Sequence, residues 1–114
     1  MSQHSLVAKE LAEMFKQLGH PDRVRLIEEL RGGEKAVGEL AEALSLPATR
    51  VSQHLAQLKA HRLVEERREG RQHFYHLTDA SLADWVANAV HFIEGRVPID
   101  PQLLHAALAA WLGV

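Results

Sequence analysis

PATRVSQHLAQLKAHRL, residues 47–63, carries the most informative pattern in the chain. Its apolar positions Val51, Leu55 and Leu58 fall at i, i+4 and i+7, one stripe of a helix that must face a core. The opposite face carries Thr49, Arg50, Gln53, Ala56, Gln57 and Ala60. No carboxylate lies between Pro47 and Lys59, whereas a solvated helix face ordinarily mixes both signs of charge. Ala56 and Ala60 allow close approach to a surface, and Arg50, Gln53 and Gln57 are long enough to reach base edges or phosphates. The pattern predicts a helix built to enter a DNA groove. The competing reading is an ordinary amphipathic helix that happens to lack acids.

Upstream, Val37, Leu40, Ala41 and Leu44 are spaced i, i+3, i+4 and i+7 and predict a helix over Ala36–Leu44. Gly38 within it costs up to ~1 kcal/mol relative to alanine, which close packing against another helix would explain. Ser45-Leu46-Pro47 leaves room only for a sharp corner. Two helices so joined make a helix-turn-helix, residues 36–61. Downstream the apolar period changes from 3.6 to 2. Leu63–Arg68 and Arg71–Leu77 read as strands around Glu69-Gly70, a hairpin spanning residues 63–77. Centring the pair on that turn sets Val64 opposite Tyr75, Glu66 opposite His73 and Arg68 opposite Arg71. Val64, Tyr75 and Leu77 then pack at the base, and Arg67, Arg68 and Arg71 gather at the tip. Two facing arginines repel, which an anion between them would relieve; a solvated tip with Glu69 as counter-charge is the plainer alternative. A helix-turn-helix followed by a two-stranded wing is a winged helix.

The flanks are helical. Val7, Leu11, Met14, Phe15 and Leu18 stripe a first helix, Ser5–Leu18, ended by Gly19. Pro21 suits the first turn of a second helix, reaching about Leu30 with Val24, Ile27 and Leu30 inward, and Gly32-Gly33 stops it. Arg23 and Arg25 lie on its outer side, where solvation is expected. Thr78-Asp79 signals the start of a fifth helix, Ala80–Glu94, with Gly95 as its stop. Leu82, Trp85, Val86, Ala89, Val90, Phe92 and Ile93 make that helix apolar around much of its circumference. Two buried faces follow, one against its own domain and one against a second copy. After a short extended link, Asp100-Pro101 opens a last helix to about Leu112 with Leu104, Ala107, Leu108 and Trp111 on one side. It docks on the dimer interface or exchanges between subunits. The fold class is thus mostly α with a small β-hairpin: four helices, the two-stranded wing and two further helices, as a homodimer. One domain spans 1–114, paired through residues 5–19 and 79–112.

Composition excludes several classes. Without cysteine there is no disulfide, zinc-thiolate site or thiol redox sensor. No apolar run approaches ~20 residues, so no membrane span is expected, and the lack of an N-terminal apolar signal region predicts a cytoplasmic protein. No glycine-rich phosphate loop, cysteine nucleophile or evident carboxylate pair suggests an enzyme. The formal net charge of −2 hides segregation. Residues 45–76 carry six cations against three anions, and the remainder seven against twelve, so the basic part is where the groove-entering helix lies.

Three stretches in this order resemble the ArsR/SmtB family of small bacterial winged-helix repressors. They are Leu18–Ile27 (LGHPDRVRLI), Val51–Leu58 (VSQHLAQL) with the following Leu63-Val64, and the wing Gly70–Leu77 (GRQHFYHL). The likeness covers roughly Glu10–Phe92. It implies a homodimer joined through the first and fifth helices, reading a pseudo-palindromic operator in double-stranded DNA and released by a ligand or chemical signal, the inducer being unknown. Thr49, Arg50, Gln53 and Gln57 are then expected at base edges, and Ser52, His54, Arg67, Arg68 and Arg71 at phosphates. His54 sits at the edge of the apolar stripe, which suits a phosphate contact or a structural role. His61 flanks the same helix at its far end, and His73 and His76 on the wing read as surface residues. Many members carry a cysteine pair in the third helix; here it is missing. Of the metal site across paired fifth helices only His91 and Glu94 survive. Asp84, His91 and Glu94 string along ~15 Å of helix and cannot close on one ion. A terminal His4 or His105 would have to complete the set, and solvated His and Glu are expected instead. No metal or cofactor is therefore assigned. The alternative function is a protein-interaction winged helix whose same face binds an acidic protein.

Overall fold

A computed structural model describes residues 2–93, 96 and 98–112. In chain order it contains α1 (Gln3–Gln17), α2 (Pro21–Glu29), a 3-10 turn (Leu30–Gly32), β1 (Lys35–Ala36), α3 (Val37–Leu44), α4 (Ala48–Ala60), β2 (Val64–Glu69), β3 (Gln72–Leu77), α5 (Ser81–Ile93) and α6 (Pro101–Leu112). Glu94 and Gly95, the expected end of the fifth helix, lie outside the described residues.

The core gathers where the apolar stripes of α2, α3 and α4 meet the base of the sheet. Leu26, Ile27, Leu40, Val51, Leu55 and Leu58 are fully buried, and Val64, Tyr75, Leu77, Ala83 and Val86 close the cluster. Burying a side chain such as Leu55 is worth about 1.5–3 kcal/mol.

Local chemistry sets the helix ends. His20 caps α2, its Nδ1 accepting the Asp22 N–H at 3.1 Å, with Pro21 in the first turn. At the start of α3 the Glu39 carboxylate accepts the Ala36 N–H at 3.1 Å. The corner after α3 turns on Ser45, which adopts a left-handed conformation (φ 55) while Leu46 N–H returns to the Ala41 carbonyl. Arg23 and Arg25 are not merely solvated, as expected from sequence. Arg23 donates to the Gln17 and Lys16 carbonyls at the end of α1. Arg25 donates to the Ala43 and Leu44 carbonyls at the end of α3. The last carbonyls of a helix have no partner within it and carry partial negative charge, so a guanidinium satisfies both needs.

Three strands form the sheet, not two. The order is β1-β3-β2, antiparallel, with Lys35 paired to Tyr75 and Ala36 to Phe74. The wing register differs from the sequence expectation by two residues: Val64 pairs with Leu77, Glu66 with Tyr75, Arg68 with His73 and Glu69 with Gln72. The turn is therefore Gly70-Arg71, and Gly70 takes φ +61 at its first position, the place where a II′ hairpin turn requires glycine. A shift of two keeps every side chain on its face but moves Arg71 out of the ladder, so it does not face Arg68. Gly38 is not explained by close packing either: a Cβ there would meet nothing within 4 Å.

One side of the fold stays uncovered. Leu6, Val7, Leu11 and Phe15 on α1 are 44–59% exposed, and Trp85, Phe92 and Ile93 on α5 are 44–68% exposed. Phe15 and Trp85 stack across the two helices, ring centroids 5.6 Å apart. Leu104, Leu108 and Trp111 of α6 turn toward the same region and, with α1, α2 and α5, line an open apolar cavity of about 910 Å³.

Candidate nucleic-acid interface

The stripe that anchors α4 fixes what it shows to solvent. With Val51, Leu55 and Leu58 inward, Thr49, Arg50, Ser52, Gln53 and Gln57 are all exposed. These five expected contact residues share one surface, free of carboxylates along the helix.

His54 does not join them. Its side chain is only 12% exposed and turns toward α2, with Nε2 3.4 Å from Asp22 Oδ2 and its ring tilted against His20 at 4.5 Å. Burial, then the neighbouring His20, holds its pKa below the ordinary imidazole value, against the raising effect of Asp22. The ring thus acts behind the helix, so the structural role open at the sequence level fits it better than a phosphate contact. His61 also braces: Nδ1 bonds the Gln57 carbonyl at 3.0 Å, and Nε2 meets Nε2 of the buried Gln17 at 3.2 Å. This pair fastens the end of α1 to the end of α4.

The wing arginines divide. Arg68 and Arg71 are exposed on β2 and in the turn, and among the described residues neither has a carboxylate within ion-pair distance. Arg67 points to the other face. It donates to Glu34 at 2.7–3.2 Å and to Glu69 at 2.8 Å, and lies 4.6 Å over the Phe74 ring. The hydrogen bonds to Glu34 and Glu69 raise its pKa, and Glu34 is lowered in return by Arg67. Its charge is already met, so the expected cluster of three tip arginines reduces to two.

Glu66 ties α4 to the wing, which sequence reasoning missed. Its carboxylate accepts from Lys59 at 3.0 Å and Tyr75 at 3.1 Å and pairs with His73 Nδ1 at 2.5 Å. The bonds from His73 and Lys59 depress its pKa to about 2, outweighing desolvation. His73 and His76 are likewise not bare surface residues, since His76 lies 3.2 Å from Glu65. The expected hairpin did set Glu66 opposite His73, but the bonds from Lys59 on α4 and from Tyr75 join residues seven and nine apart that only the fold brings together.

A winged helix-turn-helix presenting an acid-free helix beside a wing whose Arg68 and Arg71 are exposed defines a DNA-binding protein. Residues 20–66 match the family described as bacterial regulatory protein, arsR family. Over 97 residues, 85% of this chain and 75% of the relative, it is 39% identical to the HTH-type transcriptional regulator KmtR of Mycobacterium tuberculosis. Over 86 residues it is 41% identical to the biofilm growth-associated repressor of Xylella fastidiosa, covering 75% of each chain. The crystal structure of the repressor BigR from Xylella fastidiosa superposes with a TM-score of 0.68 at 38% identity, over 82% of this chain and 96% of that one. A homodimeric winged helix-turn-helix DNA-binding domain from Mycobacterium bovis gives 0.72 at 27% identity, over 84% and 89%. The chain belongs to the ArsR family of transcriptional regulators.

Proposed function

We propose that this regulator is a dimeric repressor that binds a pseudo-palindromic operator and leaves it when a chemical signal arrives. The observation that carries the reading is the exposed, carboxylate-free face of α4, flanked by Arg68 and Arg71. Each subunit lays α4 in the major groove with Thr49, Arg50, Gln53 and Gln57 at base edges, and Ser52, Arg68 and Arg71 hold phosphates. His54 supports the helix from behind, and Arg67 stiffens the wing. Residues 5–19 and 79–112 pair the subunits. The exposed apolar residues of α1 and α5 support this pairing, as does the homodimeric relative from Mycobacterium bovis. Twofold symmetry then requires half-sites one helical turn apart, or a multiple of it.

A gel shift on genomic fragments tests the proposal. A sequence-selective complex that resists competitor DNA at moderate salt is expected. Binding that is uniform across sequences, or absent, overturns it in favour of an adaptor for acidic proteins.

A further inference from the structure

Three side chains with no direct part in reading DNA converge behind α4. His20 and Asp22 come from the start of α2 and His54 from the middle of α4. His54 Nε2 lies 3.4 Å from Asp22 Oδ2, and His20 Nδ1 lies 3.9 Å from the same oxygen. One ligand atom from each residue falls within 4.8 Å of the other two. Around a four-coordinate ion with bonds of about 2.0–2.2 Å, ligand atoms sit roughly 3.3–3.6 Å apart, so one distance already fits and the others need small side-chain rotations. All three residues are half-buried, which limits competition from water without sealing the entrance.

We propose that His20, Asp22 and His54 form a site for a divalent transition ion of the zinc or cobalt class, with water as the fourth ligand. Two imidazoles and one carboxylate suit those borderline ions better than calcium or magnesium, which prefer all-oxygen shells. His20 Nδ1 now accepts the Asp22 N–H. An ion at that nitrogen displaces one capping bond and supplies three coordination bonds. The bound ion joins α2 to the helix that carries Gln53, directly beside His54 in sequence. This set shares no residue with His91 and His105, so the two locations separate cleanly by mutation.

The test is titration of chelator-stripped, full-length protein with Co²⁺, read by the visible band of four-coordinate cobalt. One equivalent per chain, displaced by Zn²⁺, is expected. His20→Gln, Asp22→Asn and His54→Gln should each weaken cobalt binding by more than roughly 100-fold, beyond the loss of an outer-shell partner. The double variant His91→Gln/His105→Gln should bind as the parent does. Absence of stoichiometric binding overturns the assignment, as does binding lost in the His91/His105 variant and kept in the other three. Nitrogen NMR of the unmutated protein keeps the test independent of folding defects. Zn²⁺ should move the ring signals of His20 and His54, and unmoved signals overturn the site.

Discussion

Helix α4 and the α1/α5 surface are built on opposite plans. In α4 the apolar residues are wholly buried in the chain's own core, and what remains outside is polar, small or cationic. In α1 and α5 the large apolar residues are what remains outside: Phe15, Trp85 and Phe92 are each about half exposed or more. A face whose hydrophobic needs are already met is fit for a hydrated, charged partner. A contiguous apolar face is fit for another protein surface. One side of the molecule has its hydrophobic demand met within the chain, and the other carries the apolar face on which the proposed pairing rests.

That contrast can be broken most forcefully at Phe15. Phe15→Glu should leave a folded monomer by light scattering. Losing the second half-site contact should cost about 10²–10⁴-fold in DNA affinity. A dimer with unchanged affinity would mean that the apolar face serves something else. Leu55→Ala strikes the α4 side from within and should lower stability by about 2–5 kcal/mol in urea unfolding, with the dimer contacts untouched. Gln53→Ala should leave folding alone and change sequence preference, by roughly 1–3 kcal/mol at one base pair if the contact is bidentate.

Glu66→Gln sharpens the picture of how α4 and the wing are joined. The folded pKa of Glu66 is depressed from 4.5 to about 2. Its contribution to stability is therefore present above pH ~4.5 and fades as pH falls toward about 2. The variant should be less stable than the parent near neutrality, and the gap should close across that acid window in thermal melts. The smallest effect is expected from Arg71→Ala, which should weaken binding to all DNA alike and reduce the salt slope by about one charge.

Element order and the helix-turn-helix were legible because the apolar period, Pro21, Pro47 and the glycines act locally. The wing was legible as a hairpin but not in register. A glycine beside two charged residues allows the turn to be centred on Glu69-Gly70 or Gly70-Arg71, and only the positive φ of Gly70 at the first position chooses. Strand β1 escaped notice because two residues cannot show an alternation. The arginine caps, the Glu66 hub and the inward turn of His54 depend on carbonyls and carboxylates brought near by the fold, which spacing along the chain does not encode. The outward residues of α4 were readable for the opposite reason: burial of a regular stripe dictates its reverse.

Strand β1 has a mechanical consequence. Its two residues lead directly into α3 and pair with β3, while Glu34, just before them, grips Arg67. The hairpin is thus not a free arm: it is bolted to the first half of the helix-turn-helix. In the proposed mode of binding, the gap between α4 in the groove and the wing loop at the sugar-phosphate rail is then preset, like the jaws of a locked calliper. On that proposal a duplex whose groove width departs from the setting must itself bend or widen. The expected outcome is discrimination by DNA stiffness at base pairs the protein never touches, readable as altered affinity when only the non-contacted central base pairs of an operator are changed.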